Sequence, residues 1–149
     1  MRGTGLLAVW LAFGLMPCEL LRADLKAALA EHDLGKRSKL ALDNAAAALK
    51  TARDAYEKGE SEKLAAAAAE IEESVDLASV SLKSTGKNPR NSPKWFKQAE
   101  IAIRGLLKKM ETFERDMNYT DRSVLDKAKV RTQRVHDELL LGLMEGKHK

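Results

Sequence analysis

The chain has 149 residues, of which 44% are hydrophobic, 32% charged and 5% aromatic. This length and composition are typical of one globular domain and argue against a disordered or collagen-like chain. The 26 basic and 22 acidic residues give a formal charge of +4, which is too small by itself to indicate a nucleic-acid partner. The single cysteine excludes a disulfide framework and any site built from several thiolates of one chain.

The first 23 residues have the parts of a secretory signal peptide. Arg2 gives a basic start, residues 6–16 form an apolar run, and a short polar stretch ends at the small residue Ala23. We therefore predict a signal peptide at 1–23, cleavage after Ala23, and an exported domain at 24–149 that is secreted or periplasmic.

Two other interpretations of the N-terminal segment stay open. A retained membrane anchor would have to extend through Pro17 and Glu19, because the apolar run is shorter than the roughly 20 residues that cross a bilayer. A lipoprotein attached through Cys18 is disfavoured, because bulky Met16 and Pro17 stand where small residues are expected. If cleavage occurs after Ala23, the cysteine leaves with the signal peptide.

Four segments of the chain, near 36–58, 60–84, 93–118 and 121–144, have the spacing of amphipathic helices. In each of them mostly apolar residues recur after three and four positions in alternation. Such heptad seams are typical of helices that pack against neighbours at about 20°. The seam residues are Leu42, Ala45, Leu49, Ala52 and Tyr56; Leu64, Ala68, Ile71, Val75, Ala78 and Leu82; Phe96, Ala99, Ile103, Leu106, Met110, Phe113 and Met117; and Leu125, Ala128, Thr132, Val135 and Leu139.

Turn-forming residues separate these segments. Gly59 and Gly86 suit the left-handed conformation that ends helices, and Ser92 with Pro93 suits the start of the next one. Short connections join antiparallel neighbours. The sequence therefore predicts an all-α, up-down-up-down four-helix bundle made of two antiparallel helical hairpins.

Two details of the helix ends are also predicted. Thr120 is expected to cap the fourth helix, with Tyr119 and Val124 forming a hydrophobic staple. Residues 24–32 are expected to form a short separate helix or an irregular extension of the first long one, since Gly35 should interrupt it.

Charge is divided unevenly between the two predicted hairpins. Residues 24–82 hold eight basic and twelve acidic residues, a balance of −4, and residues 83–149 hold sixteen and nine, a balance of +7. The basic stretch between Lys83 and Lys97 has two interpretations. It is either a solvated loop, with charge pairing between the hairpins, or a basic loop that binds a partner. Phe96 starts a core seam, so Trp95 is the aromatic side chain expected to be free. The candidate partner-binding residues are Lys83, Lys87, Arg90, Lys94, Trp95 and Lys97.

The sequence indicates no catalytic, cofactor-binding or metal-ligating residues. Among the histidines only His148 has a glutamate three residues before it, Glu145, and that pair lies in the terminal tail. His136 is expected on the flank of the fourth helix opposite Ile103, out of reach of Met110, so no haem pair forms. His136 and the two acidic residues after it point about 100° apart and do not converge.

The leading expectation is an exported, non-enzymatic bundle that binds an envelope protein or an anionic surface, as a monomer or homodimer. No nucleic-acid partner is expected, and membrane contact is expected to be only peripheral or through an uncleaved or lipidated N-terminus. The alternative is an exported bundle that carries a small molecule or a cofactor of the haem or metal type.

Overall fold

The computed structural model describes residues 19–145, with the side chains of residues 25–145. This part of the chain is all-helical and contains no strand, and its four long helices pack together, as predicted. The helices are α1 (Glu19–Ala30), α2 (Leu34–Glu57), α3 (Ser61–Ser84), α4 (Pro93–Asp116) and α5 (Asp126–Met144), and a single 3-10 turn (Arg122–Leu125) leads into α5.

The N-terminal prediction falls largely outside the described residues. Residues 1–18, with the apolar run and Cys18, are not described, and the predicted cleavage point after Ala23 lies within α1. None of the helices described in residues 19–145 is long and apolar enough to cross a bilayer.

Some of the helix ends predicted from turn-forming residues are confirmed, and others are wrong. Gly59 and Gly86 have φ values of +70° and +64°, as predicted for residues that follow helix ends. Asp33 caps α2 by accepting a hydrogen bond from the backbone N–H of Lys36 at 2.9 Å. A short separate helix, α1, does precede α2, as predicted. The break between them lies at 31–33, and Gly35 lies inside the first turn of α2, so the expectation that Gly35 interrupts the helix is wrong.

The fourth long helix begins differently from the prediction. The 3-10 turn precedes α5, and Asp121, not Thr120, holds the position before that turn. Tyr119 is 86% exposed and therefore cannot staple onto Val124. Ser92 does stand at the start of α4 as predicted, but its hydroxyl makes no capping hydrogen bond.

The four predicted seams form the core. Every seam residue is buried except Tyr56, which is partly buried and packs against Phe113 edge to face with 5.8 Å between ring centres. Helix α1 adds the fully buried Ala28 and packs mainly along α2. Burial of these seams is the main force that holds the helices together.

Ion pairs define which helices run in the same direction. Arg53 near the end of α2 pairs with Asp116 at the end of α4, and Lys83 near the end of α3 pairs with Glu138 in the second half of α5. Neighbouring helices within a hairpin run antiparallel, whereas α2 lies beside α4, and α3 beside α5, in parallel. Since α3 and α4 barely touch, the connection at 85–92 crosses one end of the bundle diagonally.

That end of the molecule carries the candidate site. It holds the 85–92 connection, the turn at 31–33, and the first turns of α2 and α4. Pro89 of the connection lies over the core here and shares a small cavity with Leu82, Phe96 and Leu139. We call this end of the bundle the loop end. The opposite end holds the turns at 58–60 and 117–121.

Candidate functional site

The connection at the loop end is held in shape by its own hydrogen bonds. The Thr85 hydroxyl donates to the Leu82 carbonyl at 2.6 Å and accepts from the backbone N–H of Lys87 at 3.2 Å. The Asn88 side chain accepts from the backbone N–H of Arg90 at 2.9 Å, and the Asn88 carbonyl accepts from Ser92 at 3.0 Å. Lys87 and Arg90 therefore project from an ordered segment.

The structure brings most of the predicted basic residues together on this surface. Lys87 and Arg90 on the connection and Lys94 and Lys97 at the start of α4 are all exposed. None of the four forms an ion pair with a described residue, and the ammonium of Lys94 lies 5.0 Å from the centre of the Trp95 ring. We call Lys87, Arg90, Lys94 and Lys97 the basic end.

Lys83 differs from these four residues. Its ammonium contacts the Glu138 carboxylate at 2.7 Å, and the resulting hydrogen bond is the main reason that the pKa of Glu138 is lowered. Lys83 therefore links α3 to α5 as part of the charge pairing between hairpins. Arg53 with Asp116 and Arg131 with Asp76 link the same two hairpins.

Trp95 is not the free aromatic anchor that the sequence suggested. Its side chain is partly buried against the core, and a Cβ atom built on Gly35 would lie only 2.3 Å from Trp95 Nε1. The indole therefore lies directly on the backbone of α2. Sequence reasoning missed this contact because it considered Gly35 only as a helix breaker.

The charge of the basic end comes from side chains more than from helix dipoles. Two helix N-termini, of α2 and α4, and three C-termini, of α1, α3 and α5, lie at the loop end, so their partial charges oppose each other. Lys87 also lies near enough to Asp33 to help lower the pKa of that carboxyl, although the hydrogen bond from the Lys36 backbone is the main cause.

A partly buried acid–base pair between α4 and α5 was not predicted. His136 Nε2 lies 3.2 Å from Glu100 Oε1, and Arg104 Nε lies 3.6 Å from the same oxygen. His136 thus contacts Glu100, which lies one turn before the expected Ile103 on α4. Residues 25–145 contain no group of three or more His, Cys, Asp or Glu side chains arranged to hold a metal ion.

A buried polar cluster joins α2 to α3. The Asn44 amide donates hydrogen bonds of 2.9 Å to both Glu70 Oε1 and the Ser74 hydroxyl, and all three residues are less than 7% exposed. The predicted seams did not indicate this cluster, because none of its three residues is a seam residue. The cluster links α2 to α3 through hydrogen bonds between buried side chains.

Comparisons with known proteins identify no relative. No protein-family model, no curated protein and no solved structure matches this chain. The function of the chain therefore has to follow from its own residues.

Proposed function

We propose that residues 24–149 form an exported, up-down-up-down four-helix bundle that acts by binding and not by catalysis, and that its basic end docks on an anionic surface. One observation carries this proposal: the four cations of the basic end are exposed on one ordered surface and none is neutralised by an ion pair with a described residue. Export through the predicted signal peptide would bring that surface to the charged polymers and lipid headgroups of a cell envelope.

The geometry favours a flat partner over a small ligand at this end. Pro89 lies over the core, and the cations stand on the outer surface of the connection and of α4. Cations near an anionic bilayer contribute about 1 kcal/mol each, and this attraction falls off within a Debye length. Binding through the basic end is therefore expected to be peripheral, reversible and strongly weakened by salt.

The position of Trp95 indicates how the protein would be held on an anionic surface. Because the indole packs on Gly35 and the core, it is held away from insertion between lipids. Docking then depends on charge, which distinguishes it from the interfacial insertion of amphipathic helices that bury an apolar face.

Charge reversal at the basic end tests the proposal. The triple variant Lys87→Glu, Arg90→Glu and Lys94→Glu should bind vesicles of phosphatidylglycerol in phosphatidylcholine roughly a hundredfold more weakly, as expected for three contacts of about 1 kcal/mol each. Co-sedimentation with these vesicles measures the change, and vesicles of phosphatidylcholine alone should bind none of the chains.

The matched control reverses three exposed cations at the opposite end, Lys58→Glu, Arg115→Glu and Lys127→Glu, which produces the same net charge. Thermal unfolding followed by circular dichroism checks that both variants fold. If the two triple variants lose binding equally, net charge and not the basic end is responsible, and the proposal is wrong.

A further inference from the structure

A groove runs between the parallel helices α2 and α4, and it reaches the loop end at Trp95. Near the starts of the two helices it widens into a cavity of about 240 Å³. Leu42, Trp95, Ile101 and Ala102 supply most of its apolar lining, with Gly35 at its end. Ile101, which also lines this cavity, is 57% exposed.

Farther along the same two helices the groove becomes basic. A cavity of about 520 Å³ is lined by Lys50, Arg53, Lys108 and Lys109, with Phe113 beside them. Arg53 already contacts Asp116 at 3.0 Å and the ring of Phe113. The three lysines are exposed and form no ion pair with any described residue.

Small residues connect the two cavities. Ala46 and Ala102 stand at the facing edges of the cavities, and Gly105 lies between them on α4. A Cβ atom on Gly105 would meet nothing within 4 Å. A glycine inside a helix is about 1 kcal/mol less favourable than alanine, and no close packing requires one here.

The two ends of the groove differ in charge. The charged residues that line the apolar cavity are the ion-paired Lys39 and Asp43, 2.6 Å apart, and Asp43 opposes an anion there. Lys94 lies outside the lining, on the ring of Trp95. At the other end Lys50, Lys108 and Lys109 attract an anion. From Gly35 to Lys50 a helix rises about 22 Å, which is the length of a long acyl chain.

We propose that the α2–α4 groove binds a single-chain anionic amphiphile, such as a long-chain carboxylate, with its head at Lys50, Lys108 and Lys109 and its tail along Gly105 toward Trp95. A helical peptide is about 10 Å across and would lie on the rims of the groove without filling the apolar cavity. Burial of the tail drives binding, and the lysines set its orientation.

Fluorescence of Trp95 reports on the apolar cavity directly. In the Trp10→Phe chain Trp95 is the remaining tryptophan. Stearate brominated in the middle of its chain, added below the concentration at which it forms micelles, should quench this fluorescence with a saturable titration. Stearoyl lysophosphatidate should compete with it, and stearyl alcohol should compete at least about tenfold less well, equivalent to about 1.4 kcal/mol for the head group. Equal competition by the alcohol would overturn the proposal.

Two variants in this background test the site. Gly105→Leu adds a bulky side chain to α4 between the residues that line the two cavities and should abolish saturable quenching, whereas Ala69→Leu on the exposed face of α3 should not. Lys108→Glu with Lys109→Glu should weaken stearate binding about tenfold or more, since two favourable contacts become repulsive. Unchanged titrations in both groove variants would overturn the proposal, as would failure of stearate to quench Trp95.

Discussion

At the scale of single residues, the contact between Gly35 and Trp95 shows how a helix-weakening residue can be required by packing. Glycine costs a helix about 1 kcal/mol relative to alanine, which is why Gly35 looked like an interruption. The indole of Trp95 occupies the space of the missing side chain. Propensity is a local property, and here a contact between distant segments outweighs it.

Substitution of Gly35 by alanine should therefore destabilise the protein in spite of its better helix propensity. The added Cβ would lie 2.3 Å from Trp95 Nε1, so the ring or α4 must move. We expect the free energy of unfolding to fall by about 1–3 kcal/mol, the usual cost of overpacking. Gly105→Ala provides the matched control, since its Cβ enters open space and should raise stability by up to about 1 kcal/mol. Urea denaturation measures both, and a Gly35→Ala chain as stable as the parent would contradict the assigned packing.

The Asn44 cluster leads to a second prediction at this scale. Asn44→Ala removes two hydrogen bonds to the buried residues Glu70 and Ser74 and should lower the free energy of unfolding by about 1–3 kcal/mol. Asp43→Ala, one residue away but exposed, removes only a surface ion pair and should change stability by about 0.5 kcal/mol or less. Similar losses in the two variants would show that the cluster does not stabilise the α2–α3 interface.

At the scale of helices, periodicity predicted more than the end signals did. The four seams are buried because a heptad repeat keeps apolar residues on one face over about four to six turns, and that pattern is insensitive to single residues. The start of a helix depends on only one or two hydrogen bonds, so a single residue type predicts it poorly. Thr120 was predicted to cap the fourth helix, but a 3-10 turn that follows Asp121 comes first. Heptads also leave open which seam faces which, and the side-by-side arrangement of α2 with α4 was therefore not predicted.

The pair of Lys83 and Glu138, which joins α3 to α5, should make stability depend on pH. The folded pKa of Glu138 is lowered from 4.5, chiefly by the hydrogen bond from Lys83. A lowered folded pKa means that this contribution is complete above 4.5 and is lost as pH falls through the folded value.

Glu138→Gln measures that contribution. At neutral pH the variant should be less stable than the parent by about 0.5 kcal/mol, the size expected for an exposed pair, and the difference should vanish in acid. Glu73→Gln, an exposed glutamate on α3 that forms no ion pair with a described residue, should show no such loss at neutral pH. Urea denaturation across the acid range decides between these outcomes, and a Glu138→Gln difference that persists or grows in acid would contradict the assigned pair.

At the scale of the whole molecule, the distribution of charge carries more information than its total. The sequence grouped the basic residues by their order along a short connection, and Lys87, Arg90, Lys94 and Lys97 are exposed in the structure. It did not show that Lys83 is neutralised by Glu138 while its neighbours stay free, or that lysines from α2 and α4 meet along a groove. Those outcomes depend on the contacts between helices and not on order along the chain.

Amide hydrogen exchange with and without phosphatidylglycerol-containing vesicles tests the central claim most directly. The amides of the connection at 85–92 are bonded only within short local turns, and the first-turn amides of α4 have no helical acceptor. Both sets therefore exchange faster than amides inside the long helices, and they report occupancy of the basic end. We predict that the vesicles protect these amides, that salt removes the protection, and that the turn at 117–121 is unaffected. Protection confined to 117–121, or none at the loop end, would contradict docking through the basic end.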